Sequence, residues 1–494
     1  MKKFLFLSYI LILSSLSFAQ QDNCQSGYST IKQDELLSTV KFLASPEIHG
    51  RVAGSEGYYK AAEYMASEFK KLNLKPAFKN TYFDKFTTEY NEIKEADFYY
   101  KKNDGTLVSF ELGTDFICRG FTGSADVVGQ LVFCGYGISA PSDSYDDYAG
   151  INCSGSIAVV FKNNPAFKIN DKSYQLSLRD KANIAKQHGC KAIVFIPMPC
   201  DAEPQKPIGS MLDGDYIHSL TDFPMVQISI EATEFLFEKS LTELKSLQKL
   251  IDSTISPHSF PISGGMADIN VNAEYSHFRP TMNIAGIYEG TDPTLKNMYL
   301  VIGAHLDHVG GQANAVYFPG ANDNASGSAA VLQLARAFAL NKINTKYSVI
   351  FILFSNEESG LQGSTHFINS AGYKPDDIIA YLNIDCIGTG DSVRIGNGES
   401  CPSLYSLTRN IDSLNSKLVV NGTWSGGGAD ATPFYEKKIP ALYFVTTNGY
   451  KFLHLPGDKP ETLNQPLFTE TVKLIYGTAC SIANGNYIRE EIAK

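Results

Sequence analysis

The chain has 494 residues, of which 44% are hydrophobic and 19% are charged, an ordinary globular composition with enough length for two or three domains. Its formal net charge is -10 and it contains no run of five or six like charges. The sequence therefore lacks the electrostatic basis for binding nucleic acid, and no nucleic-acid partner is expected.

The first 20 residues have the three parts of a secretory signal peptide. Lys2 and Lys3 precede an apolar stretch, and small residues surround Ala19. Serines interrupt the apolar stretch, which is shorter than the roughly 20 residues that cross a bilayer. We therefore expect residues 1–19 to be removed and the mature protein to be periplasmic or extracellular, with an uncleaved anchor or lipid attachment at Cys24 as minor alternatives.

The nine cysteines are dispersed along the chain and include no C-x-x-C pair. A structural zinc knuckle or a redox motif of that kind is therefore not indicated. Disulfides are compatible with export, but spacing alone predicts no pairing. Cys134, Cys153 and Cys190 lie in apolar runs, where buried thiols are common.

The N-terminal half changes character along its length. Residues 34–44 and 58–72 carry apolar side chains three and four positions apart, which predicts two helices joined by a glycine-rich connector. From about residue 80, β-branched and aromatic residues with Gly, Asn and Asp breaks predict strands and hairpins. Residues 155–163, 177–189 and 190–198 then follow one another as strand, helix and strand, a βαβ unit.

From residue 280 the pattern is regularly α/β. Helical stretches such as residues 327–340 separate apolar runs suited to buried parallel strands. The predicted fold is an α/β protein with a mixed, largely parallel central sheet flanked by helices, interrupted by a β-rich inserted domain. The expected divisions are residues 20–110, the N-terminal part of the main domain, then the insertion, residues 111–270, and the rest of the main domain, residues 271–494.

Polar side chains follow the predicted parallel strands at the carboxyl ends, where open α/β sheets bind ligands. A single acidic residue at such a position is usually a cap or a turn former. Several carboxylates that converge in one crevice repel one another and raise their own pKa values unless cations neutralise them. The residues that follow strands are His305, Asp307, Glu357, Glu358 and Asp385, whereas Asp323 lies just before a predicted helix and His454 lies in a late loop.

The ligand types indicate which metal this set would bind. Two imidazoles with several carboxylates suit zinc or another borderline divalent ion, whereas calcium and magnesium prefer oxygen alone. One carboxylate can bridge two ions while each ion takes a histidine and a further carboxylate, so two such ions also fit the inventory. One member of the Glu357–Glu358 pair then remains for general-base catalysis.

Five segments in order between residues 280 and 480 carry a family resemblance. They read GAHLDHVG, GANDNASGSAAVLQLAR, FSNEESGLQGS, NIDCIG and HLPGDKPETL. They resemble the motifs of the secreted co-catalytic di-zinc aminopeptidase family, which also contains the glutamate carboxypeptidases. Residues 132–161 and 181–195 resemble a protease-associated (PA) domain, and residues 34–75 resemble the opening helices of the family. Nearly the whole mature chain is covered.

The resemblance implies a ligand set. One zinc ion would be bound by His305 and Asp385, and a second by Glu358 and His454. Asp323 would bridge the two ions.

The resemblance also implies supporting roles. Glu357 would be the general base, Asp307 would orient His305, and Asp458 is a candidate for orienting His454. His308 is given no metal. The family holds the peptide bond after the bridging aspartate in the cis form, so Asp323–Asn324 is expected to be cis.

Two departures from the family pattern affect the substrate pocket. Family members often carry Ser-Asp-His before a Pro-Phe pair, where this chain has Ala429, Asp430 and Ala431, and Leu453 replaces a common tyrosine. Neither change removes a ligand. The group that stabilises the oxyanion is left open, with Tyr443 and Thr446 as candidates.

The function that follows is hydrolysis of peptide bonds by an aminopeptidase with a peptide substrate. H-E-x-x-H and G-x-S-x-G are both absent from the sequence, which removes the zincin and nucleophile-elbow alternatives. A carboxypeptidase, a cyclase with one metal, and a non-catalytic binding protein remain as alternatives. No membrane partner is expected after signal cleavage, and the sequence leaves the oligomeric state and the role of the PA domain open.

Overall fold

A computed structural model describes residues 24–210, 212 and 219–492, so the predicted signal peptide lies outside the described residues. The helices, in chain order, are α1 (Gln33–Leu43), α2 (Glu56–Lys71), α3 (Leu178–Gln187), α4 (Ile230–Phe237), α5 (Leu241–Thr254), α6 (Gly327–Leu340), α7 (Gln362–Ser370), α8 (Pro402–Leu414), α9 (Ala431–Glu436) and α10 (Gln465–Ala483). The two N-terminal helices expected from periodicity are confirmed as α1 and α2.

The strands, in chain order, are β1 (Lys75–Pro76), β2 (Phe83–Lys102), β3 (Leu107–Phe110), β4 (Phe116–Cys118), β5 (Ala125–Gly129), β6 (Leu131–Phe133), β7 (Ser139–Ala140), β8 (Tyr145–Asp146), β9 (Ile157–Phe161), β10 (Ala192–Ile196), β11 (Met225–Ile228), β12 (Phe260–Pro261), β13 (Gly265–Tyr288), β14 (Tyr299–His305), β15 (Gly311–Gln312), β16 (Val316–Tyr317), β17 (Ser348–Phe354), β18 (Ile378–Ile384), β19 (Ser392–Gly396) and β20 (Ala441–Thr447).

A ten-stranded mixed sheet forms the centre of the main domain. Its strand order is β19-β20-β18-β14-β17-β13-β2-β3, with β1 and β5 also paired to β13. Strands β14, β17, β18 and β20 are parallel to their neighbours within this group. Every residue of β17 and β18 is buried, as expected for apolar strands covered on both faces. The predicted α/β fold class is confirmed.

Helices cover both faces of this sheet. On one face α1, α2, α6 and α10 share a single apolar core with β14, β17 and β18. On the other face α7 and α9 pack against the sheet through Phe367 and Phe434. Ser55 caps α2, because its side chain accepts a hydrogen bond from the Tyr58 N–H. The connector before Ser55 is thereby fixed in place beside the sheet.

A six-stranded sheet lies in the predicted inserted segment. Its order is β12-β6-β9-β10-β11-β4. The inner strands β6, β9, β10 and β11 are parallel to one another, and β4 and β12 are antiparallel edges. The βαβ unit predicted from residues 155–198 is confirmed as β9, α3 and β10, with a Ser177–Asp180 capping box at the start of the helix.

Two long strands join the two sheets. Strands β2 and β13 pair antiparallel from Phe83–Ile284 to Lys102–Gly265. One end of this ribbon pairs with β17 in the central sheet. The other end pairs with β5 and contributes Phe98, Tyr100 and Ile269 to a core shared with the six-stranded sheet. Strand β13 therefore runs across the boundary expected at residue 270, whereas β2 ends at Lys102, before the boundary expected at residue 110.

A disulfide between Cys24 and Cys480 ties the N-terminal segment to α10. The spacing of the cysteines did not predict this pairing, because the two residues are 456 positions apart. With its sulfur in this bond, Cys24 has no thiol for lipid attachment. Among the residues placed by the structure, no helix has the combined length and apolar character that a membrane crossing requires.

Candidate active site

Parallel strands bring the predicted site residues to one edge of the sheet. His305 is the last residue of β14, and Asp385 directly follows β18. Glu357 and Glu358 follow β17 after a turn of two residues. Because β17 and β18 flank β14 in register, their carboxyl ends lie side by side. The sheet therefore gathers residues that are up to 80 positions apart.

The first group of donor atoms is His305, Asp323 and Asp385. His305 Nε2 lies 3.3 Å from Asp323 Oδ1 and 3.3 Å from Asp385 Oδ1. All three residues are buried, and their donor atoms lie within 4.8 Å of one another. Two carboxylate oxygens and one imidazole nitrogen at this spacing form a set that can bind one divalent cation.

The second group contains Asp323, Glu358, His454 and His308. His454 Nε2 lies 3.1 Å from Asp323 Oδ2 and 3.1 Å from Glu358 Oε2. Asp323 therefore presents one carboxylate oxygen to each group. This is the arrangement expected of a residue that bridges two cations.

His308 was given no metal in the sequence analysis, yet the structure places it in the second group. Its Nδ1 lies 2.8 Å from Glu358 Oε1 and 3.8 Å from Asp323 Oδ2. The ring is fully buried, and its Nε2 has no hydrogen-bond partner. The sequence signal for this residue was its position three residues after His305, on the same strand-end loop.

The carboxylate of Asp307 holds the backbone beside the donor groups. Asp307 accepts hydrogen bonds from the N–H groups of Glu357 (3.1 Å) and Glu358 (3.3 Å). Its carboxylate is 3.9 Å from His305 Nδ1, whereas its own carbonyl oxygen is 3.2 Å from that atom. The predicted orientation of His305 by Asp307 therefore runs mainly through the backbone of Asp307.

The carboxylate of Asp458 contacts a different part of the site from the one expected. It was a candidate for orienting His454. Instead it accepts hydrogen bonds from the N–H groups of Asn322 (2.9 Å) and Asp323 (3.0 Å). Asp458 therefore fixes the loop that carries the bridging carboxylate. The peptide bond that follows Asp323 is cis, as the resemblance implied.

Arg51 is fully buried behind the donor groups. Its guanidinium donates hydrogen bonds of 2.6–3.3 Å to five backbone carbonyls. The acceptors belong to α1 and to the loops after β14 and before α6: Leu43, Leu306, Pro319, Gly320 and Asp323. Arg51 lies in the glycine-rich segment that is predicted only as a connector between two helices, so the sequence did not indicate these hydrogen bonds.

Burial and mutual repulsion change the pKa values of the acidic residues. Burial raises the pKa of Glu357 well above its usual range and that of Asp307 to about 6. Burial alone would lower the pKa of His454, but the Glu358 and Asp323 carboxylates outweigh it and raise that pKa to about 11. The carboxylates of the site therefore favour bound protons because their negative charges are not balanced. Divalent cations would balance the same charges.

The two candidates for the oxyanion-stabilising group, Tyr443 and Thr446, donate hydrogen bonds to different acceptors. The Tyr443 hydroxyl donates a hydrogen bond of 3.1 Å to Asp385 Oδ2, at the edge of the first donor group. The Thr446 hydroxyl is buried and donates to the carbonyl oxygen of Cys386 at 2.7 Å. Tyr443 is therefore the one whose hydroxyl faces the donor atoms.

A backbone hydrogen bond joins the described part of the inserted segment to the loop of His454. The Gly209 N–H donates a hydrogen bond of 2.8 Å to the carbonyl oxygen of His454. A Cβ atom at Gly209 would lie 2.4 Å from a Val309 methyl group, so a larger residue would not fit without a shift. The segment that follows the six-stranded sheet's β10 thus packs against the loop that carries the last histidine.

Comparison with known proteins identifies the main domain. Residues 283–479 match the family model described as Peptidase family M28. These residues, the M28 domain, are similar to that peptidase family. The resemblance inferred from the five motifs is confirmed, since all of the donor residues fall inside the matched range. Because the matched family is a peptidase family and the relatives are aminopeptidases, the chain is a hydrolase that acts on peptides.

Curated relatives of the M28 domain include aminopeptidases. Aminopeptidase YwaD of Bacillus subtilis (strain 168) is 24% identical over 467 residues, which cover 90% of this chain and 83% of that protein. Leucine aminopeptidase 2 of Trichophyton rubrum is 32% identical over 243 residues, 46% of this chain and 43% of that protein. The chain spans about half the length of the fungal relatives that it matches.

Solved structures share the fold of this protein over most of its length. An aminopeptidase from Aneurinibacillus sp. strain AM-1 has a TM-score of 0.63 at 20% identity and covers 95% of this chain and 97% of its own. A peptidase M28 precursor from Shewanella amazonensis has a TM-score of 0.66 at 15% identity, covering 96% and 98%. Both matches extend over the six-stranded sheet as well as the M28 domain.

Proposed function

We propose that this protein is an exported aminopeptidase that uses two zinc ions. The observation that carries the proposal is the position of Asp323, whose two oxygens face separate donor groups. Several relatives are named aminopeptidases, and one structural neighbour from Bacillus subtilis is titled a zinc aminopeptidase. The ligand types and the unbalanced negative charge of the site support the same metal.

The donor set fits two ions without rearrangement of the fold. His305 and Asp385 would hold one ion, Glu358 and His454 the other, with Asp323 shared. His308 would keep Glu358 in position through its contact with Oε1, which leaves Oε2 directed towards His454. When bound, the two ions would polarise the scissile carbonyl and lower the pKa of the attacking water.

Glu357 is placed to move the proton. It belongs to neither donor group, and its Oε2 lies 4.0 Å from His305 Nε2. Its carboxylate is therefore beside the donor atoms without being needed as a ligand. We assign it the role of general base, which accepts a proton from water and returns it to the leaving amine.

The charge of the site favours an N-terminal substrate over a C-terminal one. The carboxylates around the donor groups attract the α-ammonium of a peptide. Arg51, a cation packed behind the site, is fully buried and donates to five carbonyls. Its guanidinium is therefore not available to bind the terminal carboxylate that a carboxypeptidase must recognise.

Export and the inserted PA domain are further parts of the proposal. The Cys24–Cys480 disulfide supports export, because disulfides persist in oxidising compartments. The six-stranded sheet in the predicted insertion supports a PA domain. Its contact with the loop of His454 supports a role in shaping access to the site.

The proposal is tested with the purified full-length chain, metal analysis and paired substrates. We expect two zinc ions per chain, hydrolysis of an aminoacyl anilide, and no hydrolysis of its N-acetylated counterpart. Chelation should remove activity, and added zinc should restore it. Cleavage of N-acetylated peptides from the C-terminus would instead indicate a carboxypeptidase, and zinc binding without turnover of either substrate would indicate a binding protein.

Replacing Tyr443 by phenylalanine should lower kcat by about 100-fold, with little change in KM or zinc content. Loss of the hydroxyl removes a donor beside Asp385 that is placed to stabilise the oxyanion. Steady-state kinetics and metal analysis measure both effects. The control is Thr446→Val, whose hydroxyl is bound to the Cys386 carbonyl and whose loss should leave kcat within a few-fold. Full activity of the phenylalanine variant would remove Tyr443 from the mechanism.

A further inference from the structure

Three buried cysteines meet in the six-stranded unit, remote from the peptidase site. Cys134 directly follows β6, Cys153 precedes β9, and Cys190 precedes β10. All three belong to one apolar core beneath α3. Because β6, β9 and β10 are adjacent strands, residues far apart in the chain are brought to one place.

Cys153 contacts both of the other thiols. Its sulfur lies 3.9 Å from that of Cys134, and the Cys190 thiol is its other thiol neighbour. These two thiol donors lower the pKa of Cys153 against the effect of burial. Hydrogen bonding to Cys153 in turn raises the pKa values of Cys134 and Cys190. Cys153 is thus the central and most acidic thiol of the three.

These thiols have no other evident use. Among the described residues, the groups with metal-binding spacing include none of the three cysteines. Their side chains are at most 3% exposed, so they do not form a reactive surface site. The chain also holds one disulfide already, between Cys24 and Cys480. If the chain folds in the oxidising compartment where the Cys24–Cys480 bond forms, these three thiols meet the same oxidants during folding.

We propose that Cys134 and Cys153 form a second disulfide in the exported enzyme, with Cys190 remaining a free thiol beside it. A disulfide requires the two sulfurs to approach by roughly 2 Å from their present separation, to about 2.05 Å. The bond would close the chain between positions 134 and 153 and connect the end of β6 to the segment that enters β9. Cross-linking this loop would restrict the unfolded chain and stabilise the six-stranded unit.

The oxidation balances with a disulfide as the oxidant. A thiolate of Cys153 attacks one sulfur of the oxidant and releases one thiol, which leaves a mixed disulfide on Cys153. The thiolate of Cys134 then attacks the sulfur of Cys153 and releases the second thiol. Two thiols of the protein lose two protons and two electrons, and the oxidant becomes two thiols. Because the folded cluster is buried, we place this step during folding.

Counting thiols in the full-length protein tests the proposal. The protein is purified after export, or refolded with oxidised glutathione, then denatured without reductant, alkylated and digested for mass spectrometry. We expect five of the nine cysteines to be alkylated, and one cross-linked peptide pair joining Cys134 to Cys153 that reductant separates. Seven alkylated cysteines, with Cys24–Cys480 as the sole bridge, would overturn the proposal. So would a Cys153–Cys190 bridge in place of the proposed one.

Two variants test the Cys134–Cys153 pairing without relying only on the number of alkylated cysteines in the wild type. Cys153→Ser should give six alkylated cysteines, because it frees Cys134 and leaves Cys190 unpaired. Cys200→Ser, which removes a half-buried thiol outside this cluster, should keep the Cys134–Cys153 peptide pair. If Cys153→Ser fails to fold, the pair is assigned in the wild type alone. The proposal rests on the proposed export, but peptidase activity is not part of this test, so its outcome does not depend on the proposed catalytic function.

Discussion

Replacing Glu357 by glutamine should lower kcat for an aminoacyl anilide by about 100- to 10,000-fold, the range typical of a lost general base. Glutamine keeps the shape of the side chain but cannot accept a proton. Glu357 lies outside both donor groups, so zinc content should stay at two ions per chain. Steady-state kinetics and metal analysis on the same preparation measure both quantities.

The neighbouring residue supplies the control for this variant. Glu358→Gln removes a carboxylate whose oxygens face His454 and His308, so it should lose zinc as well as activity. The two adjacent substitutions therefore separate loss of proton transfer from loss of metal. Undiminished turnover by Glu357→Gln would refute its role as the base, and loss of zinc from it would show that it is a ligand.

Replacing Arg51 by methionine should lower the free energy of unfolding by about 4 kcal/mol or more, because five buried carbonyls lose their donor at once. A domain is typically stabilised by only about 5–15 kcal/mol in total. The variant should therefore be largely unfolded or unfold at much lower urea concentration. Burial lowers the pKa of Arg51 to about 10, so the guanidinium is still charged at neutral pH.

Two further variants keep this prediction testable if the first does not fold. Arg51→Lys retains the positive charge but replaces the planar guanidinium with a compact ammonium group. This variant should therefore fold with reduced stability and bind zinc more weakly in a chelator competition. Arg409→Met is the matched control. Its guanidinium also donates to two carbonyls, those of Val419 and Val420, but it is half-buried and remote from the site. An Arg51→Met protein as stable as the Arg409→Met protein would contradict the argument.

The sequence predicted the parts of the site that depend on strands and their ends. The runs that became β14, β17 and β18 are largely apolar, so their carboxyl ends could be located within a residue or two. His305, Glu358 and Asp385 follow from those ends, and the family motifs supplied Asp323 and His454. The structure brings all five together, while their roles as zinc ligands stay a prediction until metal is measured.

The missed features depend on contacts between distant segments. Arg51 donates to the carbonyl of Leu306, 255 residues away, and backbone acceptors leave no trace in a sequence. The contact of Asp458 with the N–H groups of Asn322 and Asp323 also depends on how two loops meet. His308 was visible in the motif, but only the fold shows that its ring faces Glu358. The pairing of Cys24 with Cys480 is of the same kind.

The β2–β13 ribbon has a mechanical consequence for the whole molecule. An insertion attached by two separate loose linkers would be free to swing, whereas this one is carried on paired strands that continue into the central sheet. Displacement of the six-stranded unit would therefore twist the ribbon and pull on the hydrogen bond from Gly209 to His454. A ligand that binds the six-stranded unit away from the site would therefore affect the position of His454.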